Sequence, residues 1–457
     1  MGGNPVNNNG AKAMKTVRSA TLLGVLSLAG SQVMAGDLTD TIHKAIEHNP
    51  DVLVSQDDAR AISQNVREAK AGYLPRVDVY AGVGGEKSDN LSTLAATGKQ
   101  GYRGLHREES GIKITQMLFD GFFTKNEVAR QKATLQAASF RVLAAGEDVG
   151  LRATQTYLDV LRRQEQVALA KDNLAAHQRV YDQIHMRSER GVGRTADTDQ
   201  AAGRLALAQA NLEAVQGNLR DAEIAYVRVV GEMPTELVAP TVPADKLPAD
   251  LPALVGAARE THPTLLSAVA DIDATTAQHE QARSNDFPRF DLELGASHNK
   301  NLDGVSGADE DLIAMIRMNY NIYRGGADLA RKRSTAHRIM EAKDIRNRAE
   351  DQVIEEASLS WNDYITAQTR LNLLRQHADS ANKTRAAYLK QFNIGQRTLL
   401  DLLDTENERF VAESNYIDGK YRLMYAHYRI VGSEGRLLAT LGVTPPDNSG
   451  AEKNAAE

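Results

Sequence analysis

The sequence predicts a mainly α-helical chain that also carries membrane-type β-strands and is built by internal duplication. Three observations predict this fold. Short motifs recur about two hundred residues apart, and four segments of about ten residues alternate apolar with polar side chains. In addition, two long segments, 122–190 and 327–392, lack proline and keep apolar residues at helical spacing. Since a tilted strand of about ten residues can cross a bilayer, the alternating segments are candidate membrane strands.

The duplication is visible in matching motifs. His48-Asn49-Pro50 matches Thr261-His262-Pro263 at an offset of 263 − 50 = 213 residues, and Leu74-Pro75-Arg76 matches Phe287-Pro288-Arg289 at the same offset. Leu118 to Gly121 matches Ile322 to Gly325 at 325 − 121 = 204. The length difference therefore lies in one loop of the first half, while the long segments keep their length.

The two helix turns also match. Aligning Gly193 with Gly395, as the glycines of the two turns, gives an offset of 395 − 193 = 202 and places Asp199 opposite Asp401. These matches and the cluster of prolines between the halves predict five regions. They are a signal peptide (1–35), a first repeat (36–232), a proline-rich connector (233–252), a second repeat (253–442) and a disordered tail (443–457).

The N-terminal residues have the pattern of a secretory signal peptide. Lys12, Lys15 and Arg18 precede an apolar run, 21–30, and small residues ending at Ala35 follow it. The residues before Met14 resemble a dispensable extension, so either Met1 or Met14 is the start. After Ala35 no window reaches the roughly 20 apolar residues of a spanning helix, so we expect any membrane crossing to use a barrel.

Each repeat is expected to contain short helices, a β-hairpin and a long helix followed by a shorter returning one. The hairpins are predicted at about 76–119 and 289–323, and their polar loops, 88–107 and 301–310, should face the cell exterior. The returning helices are predicted at 195–230 and from Thr398 to about Leu441. Each pair of shorter helices adds up to the length of the long one, which would build a wall of even height.

Four strands cannot close a barrel, and an open edge in lipid would leave backbone groups unpaired. The chain is therefore expected to oligomerise through its sheet. Three copies would supply twelve strands, an even number. The long helices, leaving the barrel on one side, would continue it as a tube.

The stretch from Gln391 to Asp404 carries the candidate functional residues. Gly395 is placed to end one helix in a left-handed conformation, and Thr398 can cap the next. Asp401 and Asp404 are three residues apart and share a face of that helix. Two ordinary carboxylates on a solvated face are the alternative interpretation.

With these motifs, the sequence resembles the TolC family of trimeric outer-membrane channels of Gram-negative bacteria over essentially all of the mature chain. The resemblance rests on the duplication, the strand entries at Pro75 and Pro288, Leu118 to Gly121, and Phe392 to Asp404. It implies a barrel in the outer membrane and a helical tunnel in the periplasm. Its implied partners are two further copies, a periplasmic membrane-fusion adaptor and an inner-membrane ABC or RND transporter.

The resemblance also implies roles for individual residues. Asp401 and Asp404 would form two carboxylate rings at the narrowest point of the tunnel. Arg397, opposite Thr198 and Asp199, would hold the coils closed. Phe392 stands where the best-known member of the family has a tyrosine, so the closed state would depend more strongly on Arg397.

Other classes of protein fit the sequence less well. The sequence has no nucleophile turn, phosphate loop or His-Glu-x-x-His motif, so an enzyme, a cofactor or a metal site is not expected. A net charge of −6 indicates no nucleic-acid partner. A periplasmic coiled-coil adaptor would explain the long helices but not the two hairpins. We expect the exit duct of a type I protein secretion system, because the sequence lacks the cysteine that a lipoprotein efflux branch would modify. A multidrug efflux duct, or one serving both, is the alternative.

Overall fold

The computed structural model describes residues 37–242 and 246–447, so the predicted signal peptide and residues 448–457 lie outside the described residues. The elements follow the predicted order in both repeats. The first repeat contains α1 (Leu38–His48), α2 (Pro50–Ala71), β1 (Arg76–Ser88), α3 (Leu91–Thr97), β2 (Arg103–Phe119), α4 (Phe123–Glu189) and α5 (Thr195–Val230). The second contains α6 (Leu251–Thr261), α7 (Pro263–Ala282), β3 (Arg289–Lys300), β4 (Ala308–Asn319), α8 (Ala327–Asn393), α9 (Leu399–Ser433) and α10 (Leu437–Leu441).

The four strands form one antiparallel sheet in the order β1-β2-β3-β4. The register places Val79 opposite Ile112, Ile112 opposite Ala296, and Ala296 opposite Leu312. Because directly opposed residues share a face, these apolar side chains form one continuous apolar face. The other face is polar, and there Glu293 lies 3.2 Å from Lys113 and 3.1 Å from Arg317. The alternation predicted for a membrane sheet is confirmed.

The strands extend into the predicted loops and shorten both of them. β2 has 17 residues and begins at Arg103, inside the segment expected to be a loop. Ion pairs support the extra length, since Arg107 lies 2.7 Å from Glu86 and Lys300 lies 3.4 Å from Glu108. β4 begins at Ala308 and ends at Asn319, so the second hairpin ends before the predicted residue 323.

The first loop contains a short helix that periodicity did not predict. In α3, Asn90 and Thr93 cap each other's backbone amides, and Gly98 ends the helix at φ = 69°. Gly304 approaches so closely from the second loop that an added Cβ would lie 2.0 Å from the Thr93 methyl carbon. The two loops therefore pack against each other.

Aromatic rings mark the passage from sheet to helices. Phe119, Phe122 and Phe287 pack edge to face with centroid distances of 5.3, 6.4 and 5.9 Å. Phe122 has φ = 68°, which only a few per cent of residues other than glycine adopt. In the second repeat the equivalent position, 326 − 122 = 204 residues later, is Gly326 with φ = 85°. Packing of the Phe122 ring therefore stabilises a backbone conformation that is unfavourable for a residue with a side chain.

The helices form long antiparallel pairs. α4 and α8 each have 67 residues and are therefore about 100 Å long. Both pack along their returning partners, α5 and α9. The largest buried cluster lies midway along α4, where Tyr157 and Tyr428 are almost completely buried. None of the helices within residues 37–242 and 246–447 combines the length and the hydropathy of a membrane span.

The connector and the start of the tail are packed rather than free. The Tyr157 hydroxyl donates to the Val238 carbonyl at 2.6 Å, which ties the connector to α4. Val443 and Pro446, at the start of the predicted disordered tail, are buried. The expectation of disorder from residue 443 is therefore wrong up to residue 447, because Pro446 packs against Gly146 of α4: an added Cβ on Gly146 would meet Pro446 at 2.6 Å.

A buried carboxylate holds α10 against α4. Glu147 is 7% exposed and accepts hydrogen bonds from the amides of Leu437 at 2.7 Å and Leu438 at 3.3 Å. Burial raises the pKa of Glu147 to about 7 from its ordinary value of 4.5, although both amides favour the charged form. Since the folded state then binds more protons at Glu147 than the unfolded chain does, the stability that Glu147 contributes is fully present below pH 4.5 and is lost as the pH rises through about 7.

The Glu147→Gln variant should lose this pH dependence. The amide oxygen can still accept from Leu437, but no charge has to be buried at neutral pH. In the wild type we expect a loss of at most about 3 kcal/mol between acidic and neutral pH. Chemical unfolding of the detergent-solubilised protein, followed by circular dichroism at pH 5 and pH 8, measures the difference. Glu213→Gln, which removes an exposed carboxylate from α5, is the control and should keep the wild-type change in unfolding free energy between the two pH values. If Glu147→Gln also kept that change, Glu147 would not be its source.

Candidate gate at the helix turns

The two turns at the end of the long helices are equivalent at an offset of 204, not 202. α4 and α8 begin 327 − 123 = 204 residues apart and end 393 − 189 = 204 apart, and α5 and α9 also begin 399 − 195 = 204 apart. The residue opposite Gly395 is therefore Gly191, and the residue opposite Asp401 is Asp197. The predicted match of Gly193 with Gly395, and of Asp199 with Asp401, is wrong by two residues. The first turn contains two glycines, Gly191 and Gly193, and the helix bounds show that Gly191 is the equivalent one.

The glycines serve the turns for two different reasons. Gly395 has φ = 78° and Gly191 has φ = 75°, so both end their helices in the left-handed conformation that was predicted for Gly395. Gly193 is not among the residues with positive φ. A Cβ on Gly193 would lie 2.8 Å from the backbone nitrogen of Ser188, so this position needs glycine for space.

A small apolar core joins the two helical hairpins just above the turns. Phe392 is 5% exposed and packs with residues from the other three helices at this end. The guanidinium carbon of Arg187 lies 5.5 Å from the centre of its ring. Phe392 thus acts here as a core residue, together with Val180, Ile184, Ala201, Leu399, Leu402 and Leu403.

Asp401 is held by the cap of its own helix. Its carboxylate accepts from the Thr398 hydroxyl at 2.8 Å and from the Thr398 amide at 3.1 Å, while the Asp401 amide donates back to the hydroxyl. The capping role predicted for Thr398 is confirmed. These hydrogen bonds from Thr398 hold the pKa of Asp401 below its ordinary value. Within one chain this carboxylate is therefore ionised and fixed in position.

Asp404 has a partner that sequence reasoning missed. Its carboxylate lies 2.8 Å from the guanidinium of Arg204 on α5, and the two side chains are 59% and 30% exposed. This ion pair directly links the first helical hairpin to the second. No sequence motif marks Arg204, because the contact depends on how two hairpins from different repeats pack.

Arg397 is engaged within its own hairpin. Its Nε donates to the side-chain oxygen of Gln391 at 3.0 Å, and its guanidinium carbon lies 4.1 Å from the centre of the Tyr388 ring. Asp199 is exposed, and the half-buried Thr198 hydroxyl has no hydrogen-bond partner within the described ranges. Within one chain Arg397 does not contact Asp199. The predicted contact between them, which would hold neighbouring coils closed, therefore stays a prediction.

A buried ionic cluster lies one turn further along α9. Glu406 is 1% exposed and lies 2.6 Å from Arg385 and 3.5 Å from Arg409. His177 of α4 is also buried near this cluster. Burial lowers the pKa of His177, and the nearby Arg204 and Arg409 lower it further, while Glu406 opposes the shift. Titratable groups from all four helices therefore meet behind the turns.

Together, the sheet with an apolar face and the long paired helices define an outer-membrane channel that continues as a helical tunnel. A family profile described as "Outer membrane efflux protein" matches residues 41–232 and 254–435. The chain belongs to this family, which places it in the outer membrane with its helices extending into the periplasm. It is thus a channel protein rather than an enzyme.

Individual relatives agree with this assignment. The chain is 25% identical to the outer membrane efflux protein BepC of Brucella suis, over 93% of this chain and 90% of the relative. It is 24% identical to the alkaline protease secretion protein AprF of Pseudomonas aeruginosa, over 89% of this chain and 85% of the relative. The crystal structure of the Campylobacter jejuni CmeC outer membrane channel has a TM-score of 0.75 at 14% identity, covering 92% of this chain and 89% of that one. That structure shares the fold.

Removing Arg204 should loosen the link between the hairpins. In Arg204→Gln, Asp404 loses its partner, so we expect higher conductance and stronger cation selectivity in planar bilayers. Asp404→Asn should raise conductance equally but weaken the selectivity. An exposed ion pair of this kind contributes about 0.2–1 kcal/mol per copy. Arg220→Gln, which removes an exposed cation further along α5, is the control. If Arg204→Gln and Arg220→Gln behaved alike, the link would have no part in closing the tunnel.

Proposed function

We propose that three copies of this chain form the exit duct of a type I protein secretion system, closed at its periplasmic end by the helix turns. The observation that carries the proposal is the open sheet. β1 pairs only with β2, and β4 pairs only with β3, among the strands of the described chain. All twelve residues of β4 are exposed in the single chain. In lipid, each unpaired backbone group at such an edge costs several kcal/mol.

Joining β4 of one copy to β1 of the next removes these edges. Three copies supply 3 × 4 = 12 strands, an even number typical of closed barrels. The strands β1 to β4 are 12 to 17 residues long, enough for a tilted crossing of the membrane. Each copy then adds its two long helices to one tube.

The mass of the detergent-extracted protein tests this assembly. We expect three copies per complex, measured by light scattering with the detergent contribution subtracted. A stable monomer or dimer that still conducts ions would contradict closure through the sheet edges.

The closed end of the duct is proposed to use charges in two ways. Asp401 and Asp404 from three copies surround the axis, where crowded carboxylates favour bound cations and should raise one another's pKa. Arg397 holds neighbouring coils together through Asp199 and Thr198. This second role is supported by the exposure of Asp199 and by the unpaired hydroxyl of Thr198 within the described chain.

The two roles have different signatures in planar bilayers. Arg397→Ser should raise conductance and leave block by multivalent cations intact, because the carboxylates remain. Asp401→Ala combined with Asp404→Ala should weaken both the cation selectivity and the block. Arg194→Ser removes a charge at the other turn and serves as the control. If the Arg397→Ser channel assembled and its conductance were unchanged, the proposed contact of Arg397 with Asp199 and Thr198 would be contradicted.

Protein export is preferred over drug efflux because AprF, similar over most of both chains, is named as a protease secretion protein. BepC, at similar identity, is named as an efflux protein, which keeps the duct of a multidrug pump as the second candidate. In either case the partners are a periplasmic adaptor and an inner-membrane transporter, of the ABC or the RND class.

Deleting the gene separates these candidates. For a secretion duct, specific proteins should vanish from the culture medium and return when the wild-type chain is restored. The Arg220→Gln chain, which leaves both turns unchanged, is the matched complementation control. Antibiotic sensitivity without any loss of secreted protein would favour the efflux duct instead.

A further inference from the structure

A cavity of about 280 Å³ lies where the sheet meets the helices, between the start of α4 and the end of α7. Its wall combines aromatic rings, Phe122 and Phe287, with charged side chains, Lys125, Glu280 and Arg283. None of these residues takes part in the gate or in closing the barrel. The cavity therefore calls for its own explanation.

The aromatic wall continues the apolar face of the sheet. After the bulge between Met117 and Phe119, Phe119 pairs with Phe290, whose side chain points to the apolar face. Phe119 packs against both Phe122 and Phe287, which remain 48% and 44% exposed. Exposed aromatic rings at the border of a lipid-facing surface are typical of the membrane–water interface. The helices extend into the periplasm, so this border lies at the periplasmic leaflet.

The charged wall carries an excess of positive charge. Arg283 is paired with Glu280 at 3.0 Å. Lys125 forms no ion pair among the described residues, and its ammonium lies 5.7 Å from the centre of the Phe122 ring. Two cations and one carboxylate leave the cavity with a net charge of +1, directly beside apolar surface.

The cavity lies away from the open edges of the sheet. Its lining residues lie next to the ends of β2 and β3, the two central strands, whereas the proposed assembly joins neighbouring copies at β1 and β4. The start of α8, which corresponds to the start of α4, lacks two of these side chains. At the offset of 204, Lys125 corresponds to Leu329, and Phe122 corresponds to Gly326.

We propose that this cavity binds an anionic glycerophospholipid of the periplasmic leaflet. Lys125 and Arg283 hold the phosphate, and an acyl chain lies against Phe122 and Phe287. A positive charge beside the headgroup and apolar rings beside the chain match the two ends of such a lipid. The described part of each chain contributes one such site. The inference goes beyond the proposed function. It requires that the chain lies in the outer membrane, but it does not depend on whether the channel exports proteins or small molecules.

Native mass spectrometry of the detergent-extracted complex, titrated with dioleoyl phosphatidylglycerol, tests the site. Lys125→Gln should weaken binding about five-fold, as expected for one cation near a headgroup. Lys132→Gln removes an exposed cation from the same helix and should leave binding unchanged. Phe122→Gly copies Gly326 of the second repeat, so it should assemble but bind the lipid more weakly.

Two further ligands identify what is recognised. Dioleoylglycerol, which lacks the phosphate, should bind at least about five-fold more weakly. Inorganic phosphate should not displace the lipid. Equal binding by Lys125→Gln and Lys132→Gln, equal binding of dioleoylglycerol, or displacement by inorganic phosphate would each overturn the proposal. The same spectra report the number of copies, so failure of the site is distinguished from failure of the assembly.

Discussion

The backbone groups at the two edges of the sheet constrain everything else in this molecule. β1 and β4 each have one side without a partner strand in the described chain, and lipid offers no hydrogen bonds to such groups. The chain can satisfy them only through other copies of itself. Once the sheet closes, the long helices that follow β2 and β4 are arranged around the same axis. A tunnel is therefore a consequence of the closed sheet.

Because α4 and α8 are equal in length, the arrangement set by the sheet also holds at the end of the helices that is remote from the sheet. Both helices have 67 residues, so both turns lie at the same distance from the sheet. Phe392 and its apolar neighbours then join the turns, and Arg204, Asp404 and Glu406 add charged contacts behind them. Buried Glu406 is costly to leave unpaired, because removing one partner of a buried ion pair exposes the full desolvation cost of the other. The packing of the hairpins is thus specified by both apolar and ionic contacts.

Sequence patterns predicted the elements well where periodicity is strong. Helical spacing predicted the bounds of α4 and α8, and strand alternation predicted that Val79 and Leu312 lie on apolar strand faces. The position of Gly395 after a helix predicted its left-handed conformation. Contacts between repeats did not follow from the sequence. Arg204 meets Asp404, and Glu147 meets Leu437, only after distant segments have packed. The choice of Gly193 over Gly191 failed because two nearby glycines serve one turn for different physical reasons.

The length of the helices also determines how the turns respond to force. A helix of about 100 Å that pivots near the sheet moves its far end by roughly 1.7 Å for each degree of tilt. A rotation of about three degrees, made by the paired helices together, would displace the turns by about 5 Å, which is more than the length of a hydrogen bond. A small change of tilt near the membrane would therefore correspond to a large change in the width of the tunnel at the turns.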